Sequence, residues 1–233
     1  GSTVNMTGTL FDNWQQGGLD SGDAGYEPGM GTHITGGTQA NGFDSSSTNV
    51  PSAFTFNNTT QAWENLSPTN ATVLEPGEPV RLYIRGDRSV SLTTAGSLPT
   101  ATTLRSKGTL ANGAVALSGL STTEGGFNFM ANPYQAQIDL VSLLADASTV
   151  DINPNLYYAW DPTIGSHGAY ATYDFNLNTN NVAGSEVNQF LQPGQAIFIA
   201  TAEDGNVAGL SPEVLVKQSF KTNSTATTNV YRS

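Results

Sequence analysis

A chain of 233 residues is long enough to bury a substantial core within one domain, and a charged fraction of 12% with abundant Gly, Ser, Thr and Asn suits a β-rich extracellular protein better than a helical cytosolic enzyme. The formal net charge of -11 opposes approach to phosphate backbones and anionic headgroups, which excludes nucleic acid as a partner. Cysteine is absent, so disulfides, thiolate metal sites and a cysteine nucleophile are excluded, and no apolar run approaches the roughly 20 residues a membrane-spanning helix needs.

Gly1-Ser2 has the form of a cloning remnant, and a single all-β unit is expected over residues 3 to 225. Residues 11 to 49 are dense in Gly, Asp, Ser and Thr, with Phe11, Trp14, Leu19, Tyr26, Ile34 and Phe43 as isolated anchors, a pattern that predicts long loops between short strands. Strands are predicted near 53 to 57, 71 to 74, 79 to 85 and 89 to 94. In the third of these, Val80, Leu82 and Ile84 alternate with Arg81, Tyr83 and Arg85, as in a half-buried strand. Further strands are predicted near 101 to 105, 114 to 117, 127 to 130, 156 to 160, 169 to 175, 195 to 200 and 213 to 220. One short helix is expected over 139 to 147, where Asp139 can cap the first turn and Leu140, Val141, Leu143 and Leu144 form an apolar stripe. Residues 221 to 233 read as a linker-like tail, so the natural chain is expected to be longer.

One pattern occurs twice. Phe56 precedes Leu74-Glu75-Pro76-Gly77 and the run Val80 to Ile84; Tyr173 precedes Leu191-Gln192-Pro193-Gly194 and the run Ile197 to Ile199 at the same spacing. Shared turn chemistry and period-2 patterning suggest two related halves, 3 to 108 and 109 to 225, in a β-sandwich of jelly-roll type. The expected core includes Phe56, Leu82, Ile84, Phe129, Trp160, Tyr173, Ile197 and Ile199.

The stretch Asn132-Pro133-Tyr134 followed by Ile138-Asp139, then Tyr158-Ala159-Trp160-Asp161-Pro162, then Pro193-Gly194-Gln195 with Ile197-Phe198, resembles in order and spacing the region that precedes the C-terminal sorting domain in type 9 secretion cargo and surface adhesins of the Bacteroidota. Tyr83 to Arg88 and Thr100 to Arg105 look like phrases of the same region, so the resemblance covers roughly residues 43 to 232. It implies an extracellular or cell-surface module, and it supplies no catalytic residues.

Several local patterns carry candidate chemistry. Asp20, Asp23 and Glu27 on a Gly-rich loop offer carboxylate oxygens for calcium, although their spacing differs from the EF-hand. Calcium is the one cofactor suggested. Arg85-Gly86-Asp87 spells an integrin-read tripeptide but also suits a tight turn, which is the expected role. Asp204-Gly205 suits a hairpin turn. His33 and His167 are the only histidines and are expected on surface loops; a catalytic zinc would need both to converge with a carboxylate. Trp160 and Tyr170 are the candidate binding residues, as rings that stack on sugars, and core packing is the competing role for the same aromatics. The expected function is therefore a non-catalytic adhesin, spacer or presentation module with a surface glycan or protein ligand and no membrane insertion. The alternative is a glycan-binding module, calcium-assisted or not, of a polysaccharide-degrading system.

Overall fold

A computed structural model describes residues 1–17, 31–94, 97–203 and 211–224. The first part of the chain contains β1 (Val4–Met6), a π-helical turn (Phe11–Gln15), β2 (Ala53–Asn57), β3 (Ala62–Asn65), β4 (Arg81–Leu82) and β5 (Gly108–Leu110). The second contains β6 (Val115–Ala116), β7 (Phe127–Ala131), β8 (Ile138–Asp139), α1 (Leu140–Leu144), β9 (Ile152–Asp161), β10 (Ala169–Asp174), β11 (Thr179–Asn180), β12 (Phe190–Leu191), β13 (Ala196–Thr201) and β14 (Leu215–Val216). The fold is all-β and sandwich-like. Its main sheet is antiparallel in the order β11-β10-β9-β13-β7, and a three-stranded sheet runs β3-β2-β4; β1 pairs with β5, β8 with β12 and β6 with β14.

Alternation in the main sheet sends Met130, Tyr157, Ala159, Ala171, Tyr173, Ile197 and Ile199 to one face, where they meet Ile138, Leu140, Leu143 and Leu191 in a buried cluster. Asp139 caps α1 as expected, its Oδ1 accepting the Val141 amide at 3.1 Å, and the helix buries Leu140, Leu143 and Leu144 against that core. A second cluster gathers Met6, Leu10, Trp14, Ile34, Phe43, Ala53, Leu66, Leu74 and Val80 under the three-stranded sheet. Thus Trp14, Ile34 and Phe43 do anchor the polar N-terminal segment, which includes the π-helical turn as well as loops.

Several expectations give way to side-chain chemistry. The segment 89 to 94 is not a strand, because Ser91 Oγ accepts the Thr93 and Thr94 amides at 3.3 and 3.0 Å and ties the backbone into a local turn. The segment 71 to 74 follows a turn in which Thr72 N–H returns to the Pro68 carbonyl, so Leu74 reaches the core without a ladder. The strand at 79 to 85 contracts to β4: Val80 and Leu82 face the core as expected, but Ile84 is 36% exposed and is not a core residue. No strand forms at 101 to 105, and 213 to 220 contracts to β14 with a 3-10 turn at Gln218–Phe220. Trp160, expected in the core, lies on the opposite face of the main sheet and is 37% exposed. Gly1 and Ser2 are packed into the fold, with Ser2 bonded to Glu78 and Gly77 through its backbone, and the start of the tail is held by the Thr222 amide on the Gln137 carbonyl.

The repeated pattern is a repeat of turns. Glu78 N–H bonds the Glu75 carbonyl and Gln195 N–H the Gln192 carbonyl, both at 3.1 Å, with Gly77 and Gly194 at positive φ of 87° and 68°. In each turn the fourth residue's side chain caps the first residue's amide, Glu78 on Glu75 at 2.8 Å and Gln195 on Gln192 at 3.0 Å. The strands differ in placement: β4 pairs directly with β2, whereas β13 pairs with β9 and β7 and is separated from β10 by β9. The two segments are therefore not equivalent strand-loop-strand units.

Ile199→Ala, at a fully buried position, should cost about 2 to 5 kcal/mol in a denaturant melt, whereas Ile84→Ala should stay within about 0.5 kcal/mol. Lys217 Nζ contacts Asp146 Oδ1 at 2.6 Å, and that bond, with the Ser148 hydroxyl, lowers the Asp146 pKa from 3.8 to about 2. The stability this carboxylate lends is present in full above its ordinary pKa of 3.8 and is lost as pH falls through about 2. Lys217→Met should return the NMR titration of Asp146 toward its ordinary value.

Candidate functional site

The face of the main sheet turned away from the core is aromatic. Register sets Phe198 opposite Phe129 on one side and Tyr158 on the other, and Trp160 opposite Tyr170. Phe127, two residues before Phe129, joins the same face. The β2–β3 hairpin lies over part of it, because its cross-strand pair Phe56 and Trp63 points at the same rings. Phe56 and Phe198 centroids are 4.9 Å apart, Trp63 and Phe129 5.3 Å, and Phe129 stacks on Phe198 at 4.7 Å. Polar side chains fix the hairpin in place: Asn58 Oδ1 accepts the Phe129 amide at 2.9 Å, and Gln61 bonds both the amide and the carbonyl of Phe127 at 2.7 and 2.9 Å. These bonds also satisfy the outer edge of β7, which would otherwise be open to pairing.

The cover is incomplete, and an aromatic cleft remains. It consists of two adjoining hollows of about 300 and 320 Å³ that share Trp63, Tyr170 and Phe198. Tyr83 is 54% exposed, Phe127 41% and Tyr170 40%, so the rings present ligand-accessible faces while their other sides are packed. The guanidinium of Arg81 stands 5.2 Å from the Trp63 ring, 4.9 Å from Tyr83 and 5.4 Å from Trp160, and donates to the Tyr83 hydroxyl. Burial raises the pKa of the Tyr170 phenol, and the charge of Arg81 works against that rise.

The phrases that carry the family resemblance shape this site. Trp160 supplies a wall of the cleft and Pro162 part of its lining. Asp161 between them is fully buried: burial opposes its charge, but the Ser185 hydroxyl at 2.6 Å and the hydroxyl and amide of Thr163 at 2.6 and 2.9 Å hold its pKa below the usual value. Asn132, also fully buried, donates to the carbonyls of Leu191 and Gln192 at 3.1 Å each and so clasps the second Pro-Gly turn, whose Gln195 lines the cleft.

Of the residues singled out from sequence, Trp160 and Tyr170 are brought together, with ring centroids 5.1 Å apart. Asp20, Asp23 and Glu27, the calcium candidates, lie outside the described residues, as does the Asp204-Gly205 turn. Among the described residues no group of three His, Asp or Glu side chains is placed to hold a metal ion. Arg85-Gly86-Asp87 is a structured turn: Gly86 is buried at a φ of 133°, its carbonyl accepts the Thr32 hydroxyl at 3.0 Å, and Asp87 caps the Ser89 amide at 2.8 Å. His167 is exposed beside Ser166, and His33 lies in a loop but is partly buried. Its Nε2 is 2.8 Å from the Val90 carbonyl and its Nδ1 3.3 Å from Asp44, whose carboxylate also receives Arg88 at 2.5 Å and Gln15 at 2.9 Å. Compared with known protein families, with curated proteins and with solved structures, the chain matches none.

Gly168 takes a φ of 75° against the Trp160 ring, and a Cβ there would stand 2.7 Å from Trp160 Cζ2. Gly168→Ala should therefore displace the ring, changing tryptophan fluorescence and lowering stability by about 1 to 3 kcal/mol in denaturant melts.

Proposed function

We propose that the chain is a non-catalytic extracellular module of a bacterial surface or type 9 secreted protein, and that its aromatic cleft binds a glycan. The observation that carries this reading is the exposed Trp160–Tyr170 pair at a cleft walled by rings on two sheets. Sugar rings present faces of C–H groups that stack on aromatic side chains, and rigid rings lose little conformational entropy when they do so. A spacer without a ligand has no use for this surface, since large exposed aromatics favour association. Among the described residues, the lining of both hollows contains no Asp, Glu or His, the usual sources of a general acid or base, which supports binding over turnover. Export is supported by the cysteine-free, low-charge composition and by the resemblance to type 9 secretion cargo.

Affinity electrophoresis in gels containing polysaccharides tests this reading. Retardation by at least one polysaccharide is expected, and Trp160→Ala or Tyr170→Ala should weaken it by about tenfold each, the worth of one stacked ring. Retardation unchanged in both variants would show that the cleft is not the binding surface.

A further inference from the structure

Among the described residues, Arg81 is the only Asp, Glu, Lys, Arg or His side chain in the lining of either hollow. Three rings stand around its guanidinium, and among the described residues it donates a hydrogen bond to the Tyr83 hydroxyl. A guanidinium carries five N–H donors in its plane, so the ring contacts leave most of that donor edge free. Arg88 and Lys217 each contact a carboxylate, whereas among the described residues no carboxylate contacts Arg81.

We propose that Arg81 selects an acidic glycan, a uronic-acid sugar whose carboxylate meets the guanidinium edge while its ring stacks on Trp160 and Tyr170. This rests on the glycan-binding reading and adds the class of sugar. A carboxylate matches the guanidinium fork in two parallel hydrogen bonds, and the apolar walls keep the pair from being screened as it would be in open water. The fixed rings hold the guanidinium in place beforehand, so little side-chain entropy is lost on binding. The overall charge of -11 repels an acidic polymer at long range, but beyond about 8 Å physiological salt screens that repulsion, and among the described residues no acidic side chain lines the cleft.

Isothermal titration calorimetry with a galacturonate oligosaccharide, its carboxyl-reduced counterpart and a hexaglutamate peptide tests the proposal on the intact chain. The expected result is that the uronate binds at least about tenfold more tightly than the reduced sugar, that Arg81→Gln removes this preference, and that Arg81→Lys restores only part of it. Comparing the ligands on the unaltered protein keeps the test valid if Arg81→Gln folds poorly. Equal binding of the uronate and the reduced sugar would overturn the selection by Arg81 and leave the aromatic platform standing. Absence of binding by either sugar, with the polysaccharide gels also negative, would remove the glycan reading and this proposal with it. Hexaglutamate binding as tight as the uronate would overturn the sugar part, since a carboxylate alone would then suffice.

Discussion

The main sheet is apolar on both faces, and the rest of the chain is arranged to cover them. An antiparallel sheet often leaves one face to water, with polar side chains there. Here Tyr157, Tyr173, Ile197 and Ile199 fill one face and Tyr158, Trp160, Tyr170 and Phe198 the other. The first face is closed by α1 and the short ladders around it. The second is closed only in part, by a hairpin that belongs to the other hydrophobic cluster and reaches across with Phe56 and Trp63. The seam between the clusters and the candidate site are thus the same rings. Stability asks for their burial, and the partial cover by β2 and β3 buries some of them while leaving the proposed binding surface open.

Rings alone would not fix that cover in one position, since dispersion contacts tolerate sliding. Asn58 and Gln61 supply direction by bonding the backbone of β7, and Ala131 N–H bonds the Gly77 carbonyl from the same strand. The first Pro-Gly turn therefore sits against the end of β7, while the second leads into β13, the neighbour of β7. Two turns of matching chemistry flank the seam and do different jobs there. A turn depends on four residues, whereas strand placement depends on the whole core, so a recurring turn carries no information about a recurring architecture.

The sequence was legible where period and local capping decide the outcome. The alternation over β9, β10 and β13, the cap of Asp139 on α1 and the anchors Trp14, Ile34 and Phe43 all belong to that class. Alternation separates the two faces of β9, but it gave no ground for choosing the core face, and Trp160 was expected there. What alternation could not tell was which face the hairpin would leave open, because that depends on contacts such as Trp63 with Phe198 and Asn58 with Phe129, far apart along the chain. Ser and Thr were misleading for a related reason: at Ser91 the side chain takes the backbone bonds that a strand would have used. Jelly-roll connectivity was a finer claim than alternation could support.

Arg81 was the least visible residue of the site. In the run Val80 to Tyr83 it reads as the solvent-facing half of an alternation, and that assignment is correct as far as it goes. Its significance comes from the opposite sheet, which sets Trp160 5.4 Å from the guanidinium, and from Tyr83 two residues along the same face. A cation beside rings gains from their negative faces, whereas a cation buried alone would carry a large desolvation cost. The rings therefore let a charge stand in an apolar cleft where no carboxylate of the described residues contacts it, and a carboxylate is the partner that such a charge favours most strongly.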